Sequence, residues 1–181
     1  MGRKERWTWL GIAVLAALVL FFLARAVGAV DASFMPKGGR TLATETFGAN
    51  EAALRSAMSA KRSESEWSTE LASRGLGERD RATLAAYLAA HAPLAGDAAK
   101  GAIAQSLPRD GRDLAWSECQ TCHTLSHAVL TQTRDVDGWR KLLSAPYHRG
   151  MKLAQSDRDE IARYAARNMP MKTPDVPASM R

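Results

Sequence analysis

Two stretches of this chain run through one pattern, and that repetition limits the possible folds more than any other feature. Residues 67–93 read WSTELASRGLGERDRATLAAYLAAHAP, and residues 139–170 read WRKLLSAPYHRGMKLAQSDRDEIARYAARNMP. Each passes from Trp through a short apolar helix to Arg-Gly, an apolar residue and an acidic-basic start. Each then closes with a helix of the form (Leu/Ile)-Ala-x-Tyr that runs on to Pro. In the closing helices Leu84, Tyr87 and Leu88 fall at i, i+3 and i+4, as do Ile161, Tyr164 and Ala165, which gives each one apolar face. Alanine-rich helices look alike by composition alone. A shared Trp, Arg-Gly, Tyr and Pro in the same order are better explained by a degenerate duplication. No β-branched alternating run of strand length occurs, so the expected fold class is all-α.

The second copy alone is preceded by Cys119-Gln120-Thr121-Cys122-His123, which holds the only two cysteines of the 181 residues. A disulfide between them would close a loop too small to staple much. A thioredoxin-like dithiol needs surrounding strands, and none are expected. Zinc has four nominal ligands in Cys119, Cys122, His123 and His127. However, adjacent Cys122 and His123 do not easily face one tetrahedral ion, and zinc sites usually draw on two separated pairs. Covalent haem c uses the whole stretch. The thiols of Cys119 and Cys122 become thioethers to the porphyrin, and the His123 imidazole beneath the ring binds iron.

The N-terminus constrains topology. Met1–Arg6 is basic, and Trp7–Ala24 is an uncharged run of 18 residues, within the roughly 17–25 that span hydrocarbon as a helix. Trp7 and Trp9 stand where an interfacial aromatic belt belongs. A cleaved signal peptide is the competing reading, with Val27-Gly28-Ala29 as the cleavage site. The apolar run is longer than the usual signal core, and Arg25 lies awkwardly before the site, so residues 1–29 are read as a single-pass anchor. Either way the positive-inside rule sends everything after Val30 across the membrane, to the periplasm, where haem attachment of this kind takes place. The net charge of +6 then misleads, because residues 1–29 carry +3 of it. With no basic stripe and an exported location, nucleic acid is excluded as a partner.

The remaining organisation is read as a linker over 30–48, a haem-less helical module over 49–94, a haem domain over 95–171 and a tail over 172–181. The linker assignment rests on the Gly, Thr, Ala and Ser content of Val30–Asn50, which lacks a helical apolar period.

From about residue 95 to 171 the chain resembles small class I monohaem cytochromes c. Gly96–Gly101, the Cys119–His123 motif, Asp137-Gly138-Trp139, Arg149-Gly150-Met151 and Asp159–Pro170 carry the likeness. The middle section is most like the cytochrome subunits of sulfite and quinoprotein dehydrogenases. The resemblance implies an axial methionine on the loop before the last helix, which is Met151. The first repeat has Leu76 at that place. Met169, Met171 and His148 are the other candidates, His148 giving a lower-potential bis-histidine site. Trp116 and Trp139 are read as packing beside the porphyrin or as ordinary core, Pro146 and Tyr147 as shaping the distal loop, and His91 as a surface residue. Arg134 and Arg140 are candidates for a haem propionate.

A haem iron held by His and Met is coordinatively full, so the expected role is single-electron transfer, with no bond chemistry and no small-molecule substrate. The expected protein is a membrane-tethered periplasmic cytochrome serving a respiratory or dehydrogenase complex, not itself an enzyme. Two rival readings stand beside it: an accessory subunit that holds a larger assembly together, and a haem enzyme or gas binder with open iron.

Overall fold

The computed structural model describes residues 32–48, 50–96, 101–120, 122 and 124–180. Residues 1–31 lie outside this set, and the anchor expected there falls with them. Among the described residues no helix is long and apolar enough to cross a membrane.

The unit 32–181 is all-α, and its described residues contain no strand. Its helices are α1 (Gly39–Phe47), α2 (Glu51–Ala57), α3 (Glu64–Glu70), α4 (Glu78–His91), α5 (Ile103–Ser106), α6 (Gly111–Glu118), α7 (Val136–Leu143) and α8 (Gln155–Asn168). Short 3-10 turns precede α1, follow α3 and α7, and run through the tail, while Ser126–Leu130 is a π-helical turn.

The helix boundaries have local causes. Asn50 caps α2 by accepting from the backbone N–H groups of Ala52 and Ala53, and Ser63 caps α3 in a reciprocal capping box with Glu66. Asp135 accepts from Gly138 N at 2.7 Å to start α7. Gly75, at φ 70°, ends the turn after α3 in the left-handed conformation that only glycine adopts at low cost.

The expected linker over 30–48 is in error, because residues 39–47 form helix α1, with Leu42, Ala43 and Phe47 buried. Its small and polar residues suggested a stalk. It is a helix because Gly39 lets it cross α4 at close range: a Cβ there would lie 2.2 Å from Tyr87 Cβ. The same device recurs where α6 crosses α8, since a Cβ on Gly111 would lie 2.3 Å from Tyr164 Cβ. The duplication therefore extends further back than Trp67. Met35-Pro36-Lys37-Gly38-Gly39-Arg40-x-Leu42-Ala43 matches Leu107-Pro108-Arg109-Asp110-Gly111-Arg112-x-Leu114-Ala115, 72 positions on, as Trp67 matches Trp139.

The two repeats are entwined rather than strung in series. Each has its own core, around Trp67 in the first and Trp139 in the second, both essentially inaccessible to solvent. Yet Met35, from the first repeat, is buried in the second core, and Leu107, its counterpart, is buried in the first. The two tyrosines make the same exchange: Tyr87 Oη donates to Pro108 O at 2.8 Å, and Tyr164 Oη donates to Pro36 O at 2.7 Å. Across the α4–α8 contact, Asn168 Nδ2 donates to Thr83 Oγ1 at 3.0 Å, and His91 Nε2 lies 3.3 Å from Glu160 Oε2. The exchanged residues and tyrosines occupy equivalent places in the repeats, so the exchange is reciprocal. The expected boundary near residue 95 does not separate two independent cores.

Candidate functional site

The second repeat contains a cavity of about 740 Å³, within the roughly 300–1,000 Å³ of typical ligand sites. Its lining draws on five segments. Glu118, Cys119 and Cys122 come from the end of α6 and the turn after it; Ala128 and Val129 come from the π-helical turn, with Gln132 just beyond it. Trp139, Leu142 and Leu143 come from α7, and Tyr147, His148, Gly150, Met151 and Lys152 from the loop that leads to α8, which adds Ile161. The polar groups are few and gathered mainly on two of these segments, as a ligand site requires.

Helix α6 delivers the first thiol. Asp110 caps its N-terminus by accepting from Asp113 N at 2.9 Å, Leu114 and Ala115 bury its inner face, and the helix ends at Cys119. The Cys119 side chain is buried, and burial, helped by the neighbouring Glu118 carboxylate, pushes its thiol up to about 11. Such a thiol stays protonated at neutral pH. That is the opposite of the depressed pKa of an attacking thiol, so Cys119 is not poised as a nucleophile. Cys122 is exposed, and the two sulfurs are not joined in a disulfide. Glu118 is itself held below the ordinary carboxylate range by Arg109 and Ser117.

His123 lies outside the described residues, as does the side chain of His127, so the proximal-ligand expectation is neither met nor corrected. Among the described residues no three His, Cys, Asp or Glu side chains converge as a metal-binding group.

The structure separates the four distal candidates. Met151 and His148 both line the cavity. Met169 is instead buried in the core at the end of α8, and Met171 packs on that core with its N–H donating to Leu130 O at 2.7 Å; neither reaches the cavity lining. His148 Nδ1 lies 2.7 Å from Leu142 O. A carbonyl only accepts, so the proton is on Nδ1 and the ring's orientation is set by the backbone of α7. Tyr147 stands 73% exposed on the cavity lining, with its ring edge-on to His148 at 4.6 Å.

The aromatic and basic candidates resolve differently. Trp139 is fully buried on the cavity wall, and its indole Nε1–H has no acceptor among the described residues. Trp116 does not line the cavity; it packs edge-on against Phe34 at 5.9 Å. Arg140 is already held by Asp137 and Asp159, at 3.0 and 2.8 Å. Arg134 bonds Gln132 Oε1 and lies over the Trp139 ring. His91, expected at the surface, is half-buried against Tyr87 and Glu160.

Sequence reading missed two residues. Arg158 is buried in the first turn of α8 and donates to three carbonyls of the loop, those of Leu143, His148 and Met151. It looked like one more charge on a polar helix start. Phe47 fills, in the first repeat, the position that Cys119 holds in the second, a match visible only once the repeat is extended to Met35. Comparison with protein-family models, curated proteins and solved structures gives no match for the chain.

Proposed function

We propose that this protein is a monohaem cytochrome c that passes single electrons, tethered to the membrane by its N-terminal segment and serving a respiratory or dehydrogenase complex on the periplasmic side. One observation carries the reading: a large apolar cavity has both cysteines of a Cys-x-x-Cys-His motif on its wall, together with a methionine and a histidine on the loop before the last helix. The residues fit the group. Cys119 and Cys122 would hold it covalently, His123 would be the proximal ligand and Met151 the distal one. The unsatisfied Trp139 Nε1–H would find an acceptor in a propionate. Trp67, its counterpart in the first repeat, has an equally unsatisfied Nε1, so this last point supports the reading less than the thiols do.

Haem held in this way supplies one-electron iron chemistry. The chain's own part is to hold and shield it. Val129, Leu142, Leu143 and Ile161 keep water from the cavity wall, and a low local dielectric strengthens every dipole aimed inward. Leu142 O fixes the His148 ring, and Arg158 fixes the backbone on which Met151 stands. The exposed Tyr147 offers an apolar contact beside the cavity mouth for a redox partner.

A second distal ligand is favoured by one observation. A ring N–H given to a backbone carbonyl is the usual support of a metal-binding imidazole, and His148 has it. Optical spectra of the purified protein separate the two. The expected result is a c-type pyridine haemochrome with the weak near-infrared sulfur-to-iron band, lost in Met151→Ala. A haemochrome whose band is absent from the wild type gives the distal place to His148 or leaves the iron open; ready binding of carbon monoxide by the reduced protein then marks the open case.

A further inference from the structure

We infer that Arg158 is the positioning residue of the cavity's distal side: its guanidinium holds the loop from Leu143 to Met151 as one piece and so sets which side chain faces the cavity. The inference deepens the haem reading and rests on it for its spectroscopic arm only.

Arg158 is 9% exposed and stands in the first turn of α8. That is the wrong end of a helix for a cation, because the helix dipole is positive there, and burial removes the water that would compensate. Its compensation comes from main-chain oxygens. Nη1 donates to Leu143 O, where α7 ends. Nη2 donates to His148 O at 3.3 Å and to Met151 O at 3.1 Å, the residues of the turn that carries both distal candidates. A planar fork of donors suits this task, and a lysine's single ammonium does not reproduce it.

The repeat supplies an internal control. The offset between copies is 72 positions at Trp67 and Trp139 and 77 at Tyr87 and Tyr164, so the loop before the last helix is longer in the second copy. Arg81 occupies the place of Arg158 in the first copy, yet it is only half-buried, and its side chain makes no hydrogen bond among the described residues. The first copy has the arginine without the longer loop and without the cysteines. The inward clamp occurs only where the longer loop borders a cavity.

The test compares the full-length wild type, Arg158→Met, Arg158→Lys and, as a control of stability alone, Asn50→Ala, which removes a helix cap in the first repeat. Amide hydrogen exchange over residues 144–152 reads the clamp directly. Losing it is expected to speed exchange there roughly tenfold in Arg158→Met, with partial rescue in Arg158→Lys and no local change in Asn50→Ala. The near-infrared band and the reduction potential read the distal ligand in the same samples. The band is expected to weaken or vanish and the potential to shift in Arg158→Met, while the haemochrome remains. Unchanged exchange in folded Arg158→Met overturns the proposal, as does accelerated exchange with an unaltered band and potential. Accelerated exchange in Arg158→Met, in a set of proteins that all lack haem, would uphold the clamp and overturn the haem reading instead.

Discussion

Asp110 shows how one side chain serves two repeats. Its carboxylate caps α6 through Asp113 N and, with the other oxygen, accepts from Arg40 N at 2.8 Å in the first turn of α1. The equivalent residue of the first repeat is Gly38, where any Cβ would lie 2.0 Å from that carboxylate. The asymmetry Gly38/Asp110 is thus the local solution to a near-symmetric contact. Glu160 is the other buried acid of the interface. Burial raises its pKa, but His91 and Arg163 outweigh burial and hold it below the ordinary glutamate value. Its folded pKa is lowered, so its stabilising contribution is present above the ordinary value of 4.5 and fades as pH falls through the folded pKa. Melting temperature followed from pH 6 to about pH 3 is therefore expected to fall less steeply in Glu160→Gln than in the wild type; equal slopes would contradict this. Neither role was legible in the sequence. Both acids look like ordinary helix-start charges, and their burial comes from the partner repeat.

At the scale of elements, the sequence spoke clearly where apolar periodicity was strong. Helices α7, with Val136, Trp139, Leu142 and Leu143 on one face, and α8, with Ile161, Tyr164 and Ala165 at i, i+3 and i+4, show that pattern. Helix α4 places Leu84, Tyr87 and Leu88 in register but buries every residue from Thr83 to Leu88. Helix α3 has Trp67 as its one apolar residue, so the repeat revealed it rather than the period. Helix α1 was hidden because its inner face uses Gly39, Leu42, Ala43 and Phe47 among Thr and Gly, which mimics a linker. The close crossings predict a specific vulnerability. Gly111→Ala forces a Cβ into Tyr164 Cβ and Glu160 O, and overpacking of this kind costs about 1–3 kcal/mol. Denaturant unfolding of Gly111→Ala is expected to show that loss, and Gly39→Ala a similar one through Tyr87. The cavity lining was half legible: Cys119 and Cys122 were singled out by their spacing and Met151 and His148 by position, and all four line the cavity. That Met169 and Met171 pack in and on the second core, away from the cavity lining, was not legible, because it depends on the packing of the tail, in which Val176 is buried in that core.

For the whole molecule, the exchange of Met35 and Leu107 changes what counts as a domain. A boundary near residue 95 tracks the repeat in the sequence and cuts across both cores in space. Met35→Ala is expected to destabilise by about 2–5 kcal/mol, as for other large-to-small core changes, although it lies far in sequence from the core it fills. A fragment beginning at residue 95 lacks Met35 and leaves Leu107 without its host, so cooperative unfolding is expected for 32–181 and not for that fragment. A sharp, reversible transition in the fragment would show the repeats to be independent. The first repeat thus supports the cavity-bearing one structurally, through the exchanged Met35 and Leu107 and the contacts between α4 and α8.

Whether Cys119 and Cys122 carry one covalent haem, as proposed, is read from the intact mass of the protein beside an alkaline pyridine spectrum. The expected result is a wild type heavier than its chain by one haem, with a c-type spectrum, and a Cys119→Ala/Cys122→Ala variant at the bare chain mass. A wild type expressed with a working haem-attachment system that still shows the bare mass would contradict it.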